Sequence, residues 1–153
     1  MTIRLAPNSI VRSDVTRRRY RIKDWFGTGG FGTAYRATPI GETRGGDVCI
    51  KVTRNPASWH RECYFGELLR DNPRVIQVQD SFPHLAGHRV NYMLALELAE
   101  YGDLQKHLSK LPKPWGEKRV RREVARILRA LDQIHGGGAM HRDITPFNLR
   151  LQR

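Results

Sequence analysis

The sequence predicts an α+β fold in which strand-length patterns around one short helix fill residues 20–99 and helical periodicity fills residues 100–153. Three observations carry this. Short β-branched and aromatic runs in the first part are punctuated by glycine, proline and asparagine. Between them, residues 59–70 place Cys63, Phe65, Leu68 and Leu69 on roughly one helix face. Further on, Val120, Val124, Ile127, Leu128, Leu131 and Ile134 recur at intervals of mostly three and four residues, an amphipathic stripe that has to bury against something. At 153 residues with 39% hydrophobic content, the chain is long enough for a real core.

Residues 1–19 mix Pro7, Asn8 and Ser9 with arginines and keep no period, so they read as a basic arm or a short extra strand. Tyr20-Arg21-Ile22 and Ala34-Tyr35-Arg36-Ala37 flank a glycine-rich turn, the pattern of two antiparallel strands. After a second turn over residues 41–47, Val48-Cys49-Ile50-Lys51-Val52 reads as a buried central strand. Asn55-Pro56-Ala57-Ser58 offers a turn and a helix cap before the short helix, which Asn72-Pro73 ends. Val75-Ile76-Gln77-Val78 and residues 92–98 give the fourth and fifth strands, joined by a loop over 83–88. Helices are expected over 104–111 and 115–135, separated by Pro112-Lys113-Pro114 and closed by Gly136-Gly137-Gly138.

Chemistry concentrates in His141-Arg142-Asp143-Ile144-Thr145-Pro146-Phe147-Asn148, which sets an Asp and an Asn five residues apart on one loop after a long helix. An Asp there can accept a hydroxyl proton while the Asn holds a metal ion against phosphates, the needs of phosphoryl transfer. Upstream, Gly27, Gly29, Gly30 and Gly32 around Phe31 sit between two strands and not before a helix, which argues against a dinucleotide-binding turn and for a hairpin over phosphates. Lys51 closes a β-branched run, where a buried ammonium needs a phosphate, a carboxylate or water.

Taken in order, these segments with Arg61-Glu62, Leu94-Ala95-Leu96-Glu97-Leu98 and Tyr101-Gly102-Asp103 resemble a eukaryotic-type, Ser/Thr-like protein kinase domain from about Tyr20 onward. The resemblance implies a five-stranded small lobe with one helix over 20–99, and over 100–153 the first helices and catalytic loop of an incomplete large lobe. It implies ATP and Mg²⁺ as cofactors and protein Ser/Thr hydroxyls as acceptors in the full-length form. Asp143 would be the catalytic base, Asn148 a Mg²⁺ ligand, and His141 and Arg142 would shape the loop. Lys51 would bind the α- and β-phosphates, held by Glu62, with Glu67 the alternative on the same helix. The hairpin with Phe31 would cover the phosphates, and Ala34, Cys49 and Leu96 would line the adenine pocket. Backbone groups of Glu97 and Ala99 would bond the adenine edge, and Asp103 would accept from the ribose hydroxyls, cap a helix, or both.

Two departures weaken the implied activity. Thr145 stands where the Ser/Thr members usually carry a Lys near the transferred phosphate. No Asp-Phe-Gly segment follows Asn148 before Arg153, so the chain is expected to be truncated after the His-Arg-Asp loop and inactive alone. The alternative is a non-catalytic, pseudokinase-like nucleotide-binding or regulatory module. Either way, the stripe of helix 115–135 invites a protein partner to cover it.

The net charge of +12 comes from 27 Lys+Arg against 15 Asp+Glu. No aromatic residues interleave with the arginines of helix 115–135 to stack bases, so a solvated basic face is expected and nucleic acid is not. Cys49 and Cys63 show no metal or disulfide spacing, and His84 and His88 fall in a loop. No apolar stretch has the length of a membrane span, so a cytoplasmic protein is expected.

Overall fold

A computed structural model describes residues 4–30, 32–41 and 45–151. Its elements are β1 (Ile10–Arg12), β2 (Arg19–Gly29), β3 (Gly32–Ile40), β4 (Val48–Thr53), α1 (Pro56–Leu68), β5 (Val78–Ala86), β6 (Arg89–Glu97), α2 (Leu104–Leu108) and α3 (Glu117–Gly136). They divide into two compact units. Residues 1–70 with 76–98 form one, and residues 71–75 with 99–153 the other.

The first unit is an antiparallel sheet of six strands in the order β1-β2-β3-β4-β6-β5. Where the sequence leaves residues 1–19 as an arm or a strand, three residues of them pair: Ile10, Val11 and Arg12 stand opposite Arg21, Tyr20 and Arg19. The expected five-stranded sheet thus gains a strand. The fourth strand also lies later than residues 75–78, and the expected loop over 83–88 is mostly strand. Pro83 does not interrupt β5 because β5 is the sheet's edge, where a missing N–H breaks no ladder bond on the open side.

The main core cluster lies on one face of the sheet. Tyr35, Ile50 and Ala95 form one row across β3, β4 and β6, flanked by Val48, Val52 and Met93, and every one of them is almost fully buried. The sheet bends so that its two ends meet. Tyr20 of β2 stacks on Phe82 of β5 with ring centroids 6.1 Å apart. The Asp80 carboxylate of β5 accepts hydrogen bonds from Ser13 Oγ at 3.2 Å, Thr16 Oγ1 at 2.6 Å and Tyr20 Oη at 2.9 Å. Burial, and then that carboxylate, push the Tyr20 phenol far above its ordinary pKa.

The second unit is looser. α2 is one short turn capped by Asp103, and α3 keeps its stripe, but among the described residues of this unit Ile134 is the one buried aliphatic. A groove of about 370 Å³ between α2 and α3 is lined by Leu104, Leu108, Trp115, Val120 and Val124. Arg119 packs its guanidinium 4.1 Å from the Trp115 ring centre.

Candidate active site

The glycine hairpin is built by Gly29 facing Gly32 across the β2–β3 turn. Gly32 is required by the fold itself: its φ is +127°, and a Cβ there would lie 2.3 Å from the Val52 carbonyl oxygen. Gly29 and Gly30 differ, since a Cβ on either would meet nothing within 4 Å. Packing does not explain them, whereas a ligand approaching the backbone would. Thr28 and Thr33 tie the hairpin's stems through their hydroxyls, 3.1 Å apart. Phe31, expected over the phosphates, lies outside the described residues.

Beside the hairpin, strand register gathers Ala34, Cys49, Lys51 and Leu96 of the expected nucleotide contacts on one face. Ala34, Lys51 and Leu94 form one cross-strand row and Arg36, Cys49 and Leu96 the next, opposite the core row of Tyr35, Ile50 and Ala95. The alternation of β4 puts Val48, Ile50 and Val52 into the core, which forces Cys49 and Lys51 to the other side. Lys51 Nζ lies 2.6 Å from Glu62 Oε2, and both side chains are about three-quarters enclosed. Of the two candidate carboxylates, Glu62 reaches the lysine, while Glu67 is exposed and pairs with Arg70. Glu62 Oε1 is enclosed without a hydrogen-bond partner among the described residues.

α1 presents Glu62 because Asn55 caps it, its side-chain oxygen accepting from the Ser58 N–H at 3.1 Å with Pro56 in the first turn. Burial raises the Cys63 thiol pKa, and neighbouring Glu62 adds to it against a hydrogen bond with Ser81. On β6, the Glu97 N–H is committed to the Gln77 carbonyl at 2.9 Å.

In the second unit, Asp143 and Asn148 are in direct contact. Asn148 Nδ2 donates to Asp143 Oδ2 at 2.7 Å and to the Asp143 carbonyl at 3.0 Å. The Asp143 N–H donates to His141 Nδ1 at 3.3 Å, and Arg142 between them holds a left-handed φ of 65°. Such a conformation at a non-glycine residue costs about 1–3 kcal/mol and persists where surrounding bonds impose it. Here the Asp143–His141 bond closes over Arg142, while further along the loop Leu104 and Gln105 donate to the carbonyls of Leu149 and Pro146, and Tyr101 and Leu151 bond across to each other's segments. Asp103 Oδ1 caps α2 by accepting from the Lys106 N–H at 2.7 Å, and Oδ2 stands 3.8 Å from Arg150. Ala99 opens this unit, its carbonyl accepting from the Gly102 N–H.

Among the described residues, Asp143 Oδ1 and Asn148 Oδ1 take no part in these bonds. No cluster of three or more His, Cys, Asp or Glu among the described residues could hold a metal ion. Mg²⁺ at Asn148 would therefore take its remaining ligands from phosphates and water, as this ion commonly does. No helix among the described residues is long and apolar enough to cross a membrane.

Three contributions leave little local trace in the sequence: Trp59, Gly66 and the Asp47 cluster. Asp47 accepts from Arg36 Nε at 2.5 Å, Thr38 Oγ1 at 2.6 Å and Lys23 Nζ at 3.2 Å, bracing β2 and β3 ahead of β4. Burial alone would raise its pKa, but these three donors outweigh it and hold the carboxyl below its ordinary value.

Comparison with known proteins identifies the family. Residues 20–153 match the family model described as "Protein kinase domain". The chain is 28% identical over 141 residues to a probable serine/threonine-protein kinase nek1 of Dictyostelium discoideum, covering 87% of this chain and 28% of that protein. It is 31% identical over 142 residues to the serine/threonine-protein kinase pkn3 of Myxococcus xanthus, covering 88% and 25%. With the inhibitor of nuclear factor kappa-B kinase subunit beta of Mus musculus the figures are 29% over 144 residues, 88% and 19%. The chain thus spans less than a third of the length of these relatives. With a glycine hairpin, a Lys51–Glu62 pair and a His-Arg-Asp loop in that order, and a family match over residues 20–153, the chain belongs to the protein kinase domain family.

Proposed function

We propose that this chain binds ATP with Mg²⁺ and carries the catalytic loop of a Ser/Thr protein kinase, transferring the γ-phosphate to protein hydroxyls within the full-length protein. The observation that carries this reading is the Lys51–Glu62 pair at 2.6 Å, on the sheet face shared with Ala34, Cys49 and Leu96 and next to two glycines that packing does not require. An ion pair enclosed to about three-quarters contributes little stability by itself, because desolvation offsets most of the attraction. A phosphate that shares the ammonium gives the pair a purpose.

In this reading the hairpin N–H groups donate to phosphate oxygens, and Lys51 takes the α- and β-phosphates. Ala34, Cys49 and Leu96 enclose the adenine, whose edge bonds the Glu97 carbonyl and the Ala99 N–H. Asp103 accepts from the ribose while capping α2. Asp143 Oδ1 takes the proton of the acceptor hydroxyl, whose oxygen bonds the γ-phosphorus as the bond to the β–γ bridging oxygen breaks and ADP leaves. Oδ2, tied to Asn148, fixes the carboxylate's orientation for that proton. Asn148 Oδ1 would hold Mg²⁺, whose charge offsets that of the phosphates when bound.

Thermal unfolding with and without Mg-ATP tests the binding half. At a hundred times its Kd the nucleotide should add about 2.7 kcal/mol to the wild-type chain and nothing to Lys51→Met. No gain in wild type, or an equal gain in Lys51→Met, contradicts binding at this site.

A further inference from the structure

We infer that Trp59 is the positioning residue that aims Glu62 at Lys51. The inference rests on the reading that this pair serves a bound nucleotide, and it concerns how α1 is seated. No residue within α1 is fully buried, so its place on the sheet depends on few contacts. One is directional: the Trp59 indole N–H donates to the Met93 carbonyl of β6 at 3.1 Å, with the ring tilted against Tyr92 at 5.1 Å between centres. The other is steric. A Cβ on Gly66 would lie 2.3 Å from Val78 Cγ2, so α1 approaches β5 at glycine distance.

Trp59, Glu62 and Gly66 are spaced by three and four residues, so all three share the helix face turned to the sheet. Glu62 is bracketed by a hydrogen-bonded anchor one turn before it and a close contact one turn after. A glycine contact sets how near α1 lies but leaves it free to roll and slide. An indole bonded to a fixed strand carbonyl removes that freedom, because a tryptophan N–H has one direction. The Lys51–Glu62 distance of 2.6 Å follows from that anchor. With Glu62 Oε1 unbonded among the described residues, the carboxylate has no second hydrogen bond there to correct a misplaced helix.

The test is a double-mutant cycle on the full chain, with Mg-ATP titrated into wild type, Trp59→Phe, Glu62→Gln and the double variant. Trp59→Phe keeps a ring against Tyr92 and removes the donor. It should weaken binding roughly three- to tenfold, the worth of one hydrogen bond. The double variant should bind no more weakly than Glu62→Gln alone, because Trp59 acts through Glu62. Multiplying losses, or unchanged affinity in Trp59→Phe, would overturn the inference.

Hydrogen exchange on the nucleotide-free chain gives a readout that survives failure of the functional reading. If wild type binds no ATP, that reading falls, and the seating of α1 is still decided. Amides of residues 59–66 should exchange roughly tenfold faster in Trp59→Phe, while those of β3 and β4 keep their wild-type rates. Equal exchange along α1 in both proteins would show that the indole does not hold the helix.

Discussion

The two units hold their site residues by different means. Lys51 stands on a strand whose alternate side chains fill a closed core, so its direction is fixed by Val48, Ile50 and Val52 behind it. Asp143 and Asn148 stand on a loop in a unit with one buried aliphatic among its described residues, and their direction comes from hydrogen bonds to each other and to the neighbouring backbone. The direction of Lys51, the proposed anchor of the phosphates, is thus a product of hydrophobic packing. The loop of Asp143 and Asn148 is a product of local polar bonding, with strain at Arg142 as its signature.

The sharpest way to break this contrast is core truncation. Phe82→Ala or Ile50→Ala should cost about 3–5 kcal/mol of unfolding free energy, because each leaves a cavity in a close-packed core. Leu128→Ala on α3, where the side chain is 58% exposed, should cost under about 1 kcal/mol. Denaturant unfolding of the three variants compares them directly, and equal losses would mean that the second unit is as tightly packed as the first.

Next comes the division of labour toward nucleotide. Asp143→Asn should keep the stabilisation by Mg-ATP, about 2.7 kcal/mol at a hundred times its Kd, because the proposed base acts on the acceptor hydroxyl and not on binding. Loss of that stabilisation would show the loop to be part of the nucleotide anchor.

A smaller effect is expected at Asp47. Its carboxyl pKa is held below the ordinary value near 4, so its contribution is present above that value and lost as pH falls through the native one. Between pH 5 and pH 3 the wild type should lose about 1 kcal/mol more than Asp47→Asn, a modest figure because Lys23 and Arg36 are partly exposed and screened. Parallel stability curves for the two proteins would remove this cluster from the account. Smallest of all is Glu123 on α3, where burial works against Arg126 and Arg122 and the arginines prevail, lowering its pKa. These are surface pairs, and Glu123→Gln should change stability by less than about 0.5 kcal/mol at moderate salt.

Legibility in the sequence divides local chemistry from long-range pairing. Motifs whose chemistry is local could be read directly: the glycine hairpin, Lys51 at the end of a β-branched run, and the Asp–Asn spacing of the loop. The helix stripe of α3 was equally plain. What a single segment cannot carry is pairing at long range. β1 is a three-residue strand that exists because β2 offers it a partner, and β5 extends through Pro83 because it happens to be an edge. Glu62 and Glu67 look alike along the chain, and the seat of α1 separates them. That seat depends on a tryptophan finding a carbonyl 34 residues away and on a glycine finding Val78. Neither contact has a local pattern to betray it.

The most direct test of the central claim is an NMR titration of the 153-residue chain with Mg-ATP, followed at every assigned amide. The account predicts the largest shifts at Gly29, Gly30 and Lys51 and along Leu96, Glu97 and Ala99, with all of them lost in Lys51→Met. Shifts confined to α3, or none at saturating nucleotide, would contradict it.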